Sequence, residues 1–293
     1  MKKAIRFFSM AALALVGAVM TGCSSDDNIQ QPANNDNAYI LKTTISFDTD
    51  DVTNRALSVD FVNKKATKTF AVGDQIAVFY KDGKGRTMRA ESNPLTIDDI
   101  HNESKTADIT VDFLGSGGAV AADNSQIRFV YPANMAQETI DTGALIDDDD
   151  NTIDYSRLDY QTGNLDDLGR AFDLATFDGS LSGSSLPTSV TLTNRLAILA
   201  LTLKNSDGSS IITRGLDNVQ IHSIGNWDYA VAPKLGGTFD QDVIYVAIRP
   251  ETNDFGFESS QSTGVYMKVL ADRTFVAGHF YNLPVRMELL PLP

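Results

Sequence analysis

Cysteine, histidine and tryptophan are nearly absent from this chain. Its 293 residues hold one cysteine, Cys23, three histidines (His101, His222 and His279) and one tryptophan, Trp227. A lone cysteine excludes an intramolecular disulfide and a thiolate metal cluster, and the histidines are far apart in sequence, so neither a metal nor a cofactor is expected. Positive charge is also short, with 24 Lys and Arg against 38 Asp and Glu for a formal net charge of -14. Such an excess repels phosphate backbones, which excludes nucleic acid as a partner. Gly-x-Ser-x-Gly, His-Glu-x-x-His and Gly-x-x-x-x-Gly-Lys-Ser/Thr are all missing, so hydrolase and nucleotide chemistry have no visible machinery. What is present is 42% hydrophobic residues with 21% charged, enough for a substantial core and for two ordinary domains.

The cysteine closes an export signal. Lys2, Lys3 and Arg6 precede an apolar run from Ala11 to Met20, and Thr21-Gly22-Cys23 follows, the layout of a secretory signal. The run is roughly half the length that a bilayer core requires. Met20-Thr21-Gly22-Cys23 resembles a bacterial lipobox, which implies a diacylglyceryl group on the Cys23 thiol and removal of the signal peptide 1–22. Met20 departs from the Leu or Val usual there but keeps the position apolar. Ser24-Ser25-Asp26-Asp27 is similar to the acidic tag that sends lipoproteins to the outer face of the outer membrane in Bacteroidales. The Gln/Asn-rich stretch that follows cannot build a core, so 23–38 reads as a flexible tether.

From Tyr39 onward the pattern changes to a period of two. Tyr39, Leu41, Thr43, Ile45 and Phe47 alternate with Ile40, Lys42, Thr44, Ser46 and Asp48, a half-buried strand. Gln75–Tyr80 is a second strand, turned by Asp82-Gly83 with its expected positive φ and returning near Thr87–Ala90. Further strands are expected at Thr106–Leu114, Gln126–Tyr131, Ser189–Thr193, Ala197–Leu203, Asn218–Ile224, Asp242–Ile248, Gly264–Leu270 and Gly278–Leu289. One helix is expected at Asn164–Phe172, where Leu165, Leu168 and Phe172 keep helical spacing behind an Asn164 cap. Gly179–Pro187 has linker composition and divides the chain into 39–178 and 188–293, each the size of one β-sandwich. Short strands, polar turns and no strand–helix alternation predict an all-β fold of antiparallel sandwiches.

Three features bear on chemistry. Gly115-Ser116-Gly117-Gly118 has no helix behind it and reads as a turn. Asp147-Asp148-Asp149-Asp150-Asn151 invites a calcium reading, but Thr152 and Leu158 occupy the positions where an EF-hand needs glycine and glutamate, so a solvated loop is the simpler reading. Trp227, Tyr229, Phe255 and Phe257 offer an aromatic platform for a surface glycan, with burial in a core as the plainer alternative.

Several segments in order resemble the Bacteroidales fimbrillin-like lipoproteins, the pilus subunits of that group. They are the lipobox, Thr44–Phe47, Thr53-Asn54-Arg55-Ala56, Phe70-Ala71-Val72-Gly73-Asp74 running into Gln75–Phe79, Tyr131-Pro132, Tyr160–Gly163 ahead of Asp166–Leu168, Thr193–Ala197 and Ala277–Leu283. The resemblance implies two transthyretin-like β-sandwich domains, no enzymatic activity, a place in a surface fimbria at the outer membrane, and other fimbrial subunits as partners. It also implies proteolysis after an arginine, here between Arg55 and Ala56, followed by donor-strand exchange and a role in adhesion. Loss of Tyr39–Phe47 would uncover apolar side chains and unpaired backbone, which a strand from a neighbour would satisfy. Uncut, Arg55 would be an ordinary loop residue and the chain, keeping its lipid, an anchor or a monomeric lipoprotein binding surface glycan or protein. At the C-terminus Tyr281, Leu283, Val285, Met287 and Leu289 alternate, as a donor strand or as the last strand of the second domain; Pro284 lacks an N–H and requires an edge position either way.

Overall fold

Alternating and continuous apolar runs build nineteen strands among the described residues. The computed structural model describes residues 40–48, 58–60, 65–113, 121–140, 144–234, 236–261 and 264–291, which lie within one compact unit, Asn34–Pro293. The first eleven strands are β1 (Ile40–Phe47), β2 (Ser58–Asp60), β3 (Lys65–Thr67), β4 (Ala77–Lys81), β5 (Thr87–Glu91), β6 (Ile100–His101), β7 (Thr106–Asp112), β8 (Gln126–Tyr131), β9 (Tyr160–Gln161), β10 (Ala175–Ser180) and β11 (Ser189–Asn194). The rest are β12 (Ala197–Lys204), β13 (Val219–Ser223), β14 (Trp227–Val231), β15 (Ile244–Ile248), β16 (Glu251–Gln261), β17 (Gly264–Phe275), β18 (Phe280–Arg286) and β19 (Glu288–Pro291). The fold is all-β, as the sequence predicts.

Eight strands form one sheet in the order β5-β4-β8-β10-β11-β1-β7-β6, while β2 and β3 pair by themselves. The sheet curls until its two ends approach: Ser92, just past β5, bridges Val111 of β7, and the Asn93 N–H donates to the Thr110 carbonyl at 3.0 Å. One core fills the curl, with Leu41, Ile45, Ile76, Val78, Tyr80, Ile109, Phe129 and Leu192 among its residues. Ala77 and Phe79 of β4 and Val130 of β8 point instead into a second core. Burial on both faces accounts for the unbroken apolar run Ile76–Tyr80, which a strand with one wet face would not tolerate.

The second core lies with two further sheets, β15-β12-β18 and β19-β17-β16-β13-β14-β9. β12 is central in the smaller sheet, parallel to β18 and antiparallel to β15, and its residues 197–201 are all buried. β18 is an edge strand, the position Pro284 requires. Residues between β8 and β10 reach the second core too: Met135, Ile153, Leu158 and Leu168 are buried in it, and β9 lies parallel beside β14. The helix there runs Leu165–Ala171, with the Asn164 side chain accepting from the Asp166 and Asp167 amides at 2.8 and 3.4 Å.

Several local expectations change. The hairpin between β4 and β5 has its positive φ at Gly85, not Gly83, because the Asp82 carboxylate accepts from the Lys84 and Arg86 amides and sets the turn two residues later. Gly179–Pro187, linker-like in composition, closes a hairpin between β10 and β11: Ser182 and Ser185 exchange backbone hydrogen bonds, and Leu181 and Leu186 are buried. The chain passes from one sheet system to the other between Asn194 and Ala197. The C-terminal strand breaks at Met287, whose amide donates to Lys204, so β18 and β19 belong to different sheets and Leu289 is exposed.

Candidate functional site

The N-terminal strand and the groove that holds it form the candidate site. β1 lies inside the eight-stranded sheet, antiparallel to β7 from Ile40 to Ser46 and parallel to β11 from Thr44 to Phe47. Its inward residues Leu41, Thr43, Ile45 and Phe47 are buried, while Ile40 and Lys42 face outward. Across the ladders they meet Val111, Ile109 and Ala107 of β7 and Val190 and Leu192 of β11, all buried. Side chains secure the edges of the ladder. Thr43 Oγ1 donates to the Pro187 carbonyl at 2.5 Å and Thr44 Oγ1 to Asp108 Oδ1 at 2.6 Å. Leu41, Ile45 and Phe47 are each worth about 1.5–3 kcal/mol of burial, so this face contributes roughly 5–9 kcal/mol, comparable with the whole stability of an ordinary domain. β1 therefore cannot leave without either a large loss of stability or a replacement strand.

Phe47 is the tightest point of the strand. Its ring stacks on Phe70 at 4.3 Å between centroids and meets Tyr131 edge-on at 5.1 Å. Asp74 Oδ2 accepts from the Ala71 amide and from Tyr131 Oη, both at 2.8 Å, and Gly73 takes the positive φ of the turn between them. The segment Phe70–Asp74 and Tyr131, prominent in the sequence, thus build the socket into which Phe47 fits. Under it lies Lys68, whose Nζ stands 5.4 Å from the Phe47 ring centroid and 2.8 Å from Asp173 Oδ1. Burial pushes the Asp74 carboxyl up and the Tyr131 hydroxyl well above its usual range. The buried Lys68–Asp173 pair escaped sequence reading because its members are 105 residues apart and nothing in their local patterns marks them.

Cys23, Arg55 and Ala56 lie outside the described residues, as does the glycine-rich stretch 115–118. Asp147 and Asp148 are exposed, and among the described residues no group of three or more His, Cys, Asp or Glu side chains could hold a metal ion. The aromatic platform does not assemble: Tyr229, Phe255 and Phe257 are buried, and the Arg249 guanidinium is 3.6 Å from the centroids of both Trp227 and Tyr155. The histidines are dispersed, His101 pairing with Asp108 and His222 with Asp228. Among the described residues no helix is long and apolar enough to cross a membrane.

A further landmark ties the second core together. Gln161, next to the Gly163 turn, donates to the Leu158 and Ala247 carbonyls at 3.0 and 2.7 Å and accepts from the Ala247 amide at 2.9 Å. Its carboxamide covers the open edge of β15, which would otherwise present unpaired backbone.

No protein-family model and no curated protein matches this chain. Among solved structures it is similar to a fimbrial assembly protein from Parabacteroides distasonis, at 9% identity over 84% of this chain and 90% of that one, with a TM-score of 0.41. It is also similar to a candidate cell adhesion protein from Bacteroides ovatus (10% identity, 87% and 96% covered, TM-score 0.46). A third likeness is to a minor pilin of Streptococcus agalactiae (10% identity, 86% and 98% covered, TM-score 0.30).

Proposed function

We propose that the chain is a non-enzymatic subunit of a surface fimbria, exported as a lipoprotein on Cys23 and assembled by strand exchange in support of adhesion. In this reading residues 23–38 tether two β-sandwich domains to the outer membrane, the first built on the sheet that contains β1 and the second on the paired sheets around β12. Cleavage between Arg55 and Ala56 severs β1 from the rest of the chain. Its departure opens a groove between β7 and β11, floored by Val111, Ile109, Ala107, Val190 and Leu192, and an extended segment from a neighbouring subunit fills it.

The observation that carries this reading is the position of β1. It is the first described strand, so it can leave without threading the chain, yet it is paired on both sides and buries one whole face. An interior gap of that kind demands a replacement strand, because unpaired backbone and bare apolar surface are both costly. In this chain the C-terminal strands β18 and β19 pair within the sheets of the second core. Terminal sequencing of the surface-assembled protein tests the reading. An N-terminus at Ala56 supports it, whereas a lipidated Cys23 in assembled material refutes strand release at this site.

A further inference from the structure

Lys68 is the only buried lysine among the described residues, and its surroundings are those of a reactive amine. Its side chain and that of Asp173 are each 4% exposed, and Nζ is 2.8 Å from Asp173 Oδ1 and 2.5 Å from the Asp173 carbonyl oxygen. Phe47 and Tyr131 present their rings to Nζ at 5.4 and 5.7 Å, and Phe70 packs against both rings. Asp173 Oδ2 is buried with no hydrogen-bond partner among the described residues. A buried ion pair with one carboxylate oxygen orphaned is a poor source of stability, since two desolvated charges are repaid only when every lone pair is satisfied. The arrangement suits a covalent bond better than a salt bridge.

From this geometry we infer that Lys68 and Asp173 condense to form an intramolecular isopeptide bond between Nζ and Cγ. The ion pair first exchanges a proton: one ammonium proton passes along the hydrogen bond to Oδ1, leaving a neutral amine beside a neutral carboxylic acid. Dry apolar walls favour this neutral pair over two charges. Burial pushes the Lys68 ammonium down and the Asp173 carboxyl up, the direction the exchange requires, although each partner pulls the other back. The amine lone pair then attacks Cγ and the Nζ–Cγ bond forms. A second Nζ proton moves to the protonated Oδ1, the Cγ–Oδ1 bond breaks, and one water leaves. Nζ keeps its last proton as the amide N–H, and Oδ2 becomes the amide carbonyl oxygen. No oxidant or co-reactant is consumed. Burial supplies the orientation, since only a small rotation of the carboxyl separates the nitrogen–oxygen contact from a nitrogen–carbon contact in the near-attack range of about 3–3.5 Å.

The bond goes beyond the fimbrial reading and does not depend on it. Both residues follow Arg55 in the chain, so the link persists whether or not β1 departs, and it ties the segment after β3 to the start of β10 when the Phe47 plug is withdrawn. Peptide mapping of the folded full-length protein by mass spectrometry is the test. The expected result is a branched tryptic peptide joining the Lys68 and Asp173 segments, lighter than their sum by one water, with no cleavage after Lys68. Lys68→Arg retains a positive charge but removes the attacking amine, and Asp173→Ala removes the carboxyl; both should yield only linear peptides. Recovery of the two segments unlinked from the wild-type protein would overturn the inference. So would a branched peptide of the same mass that survives in Lys68→Arg.

Discussion

Replacing Phe47 by alanine perturbs the point where the N-terminal strand is held most firmly. The side chain is 7% exposed and lies against Phe70, Tyr131 and Lys68. Truncating a buried phenylalanine costs about 3–5 kcal/mol, combining the lost transfer energy with the cavity that remains. Aromatic pairing accounts for part of that sum, at about 0.5–1.5 kcal/mol per pair. The neighbours can relax little, because Phe70 is fixed by the turn at Gly73 and Tyr131 by its hydrogen bond to Asp74, so a value near the upper end is expected. Guanidinium unfolding of wild type and variant measures it, with Lys42→Ala on the outward face of the same strand as a control expected within about 0.5 kcal/mol of wild type. Amide hydrogen exchange adds the location: protection should fall most in 40–48 and in the facing residues of β7 and β11, and least in β12 and β15. A loss below about 1 kcal/mol, or one equal to that of the control, would refute the socket as the clamp on β1, since no buried aromatic with these contacts should be so cheap to remove.

Gln161→Leu should lower the midpoint of thermal unfolding markedly, because it strips partners from the Ala247 amide and from the Ala247 and Leu158 carbonyls at about 1–3 kcal/mol for each group left unsatisfied. Asp74 provides a pH test. Burial raises its folded pKa above the ordinary 3.8, so its contribution is full below that value and is lost as the pH rises through the folded pKa. Stability measured across this window should fall with rising pH in wild type more than in Asp74→Asn; equal slopes would count against the assignment. Arg249→Ala should change the emission of the sole tryptophan, Trp227, by removing the guanidinium stacked on its ring, at a stability cost of only about 0.5–1 kcal/mol for an exposed cation–π contact.

Strands whose side chains carry a clear binary code were legible in the sequence. The inward face Leu41, Thr43, Ile45 and Phe47 is buried as the alternation requires, and β8 matches its expected limits residue for residue. Strands without that code were missed. β16 opens with Glu251-Thr252-Asn253-Asp254, and only Phe255 and Phe257 of its large apolar residues reach the core; β14 carries Trp227 and Asp228 on the surface and buries only Tyr229 and Val231. Both are held by their neighbours in the sheet and not by their own patterning. Of the two readings of Trp227, Tyr229, Phe255 and Phe257, burial in a core holds for the last three, a choice open in the sequence because it does not say which side of a strand faces out. Phe255 and Phe257 share one face of β16 with period two, and that face proved to be the buried one.

Taken alone, the sequence determined what depends on neighbours a few residues away: the all-β class from the period of two, the capped helix at Asn164, the turn after β4, the edge position of Pro284, and the acidic surface from net charge. Tertiary structure decided everything that depends on which distant segments meet. It placed β11 beside β1, carried the sheet through a stretch that reads as a linker, and sent β9 to complete a sheet built mostly from the C-terminal half. It also brought Lys68 to Asp173 beneath Phe47. The physical reason is that strand pairing is specified by buried surface shared between partners, and neither partner records in its own pattern which of several apolar faces it will meet.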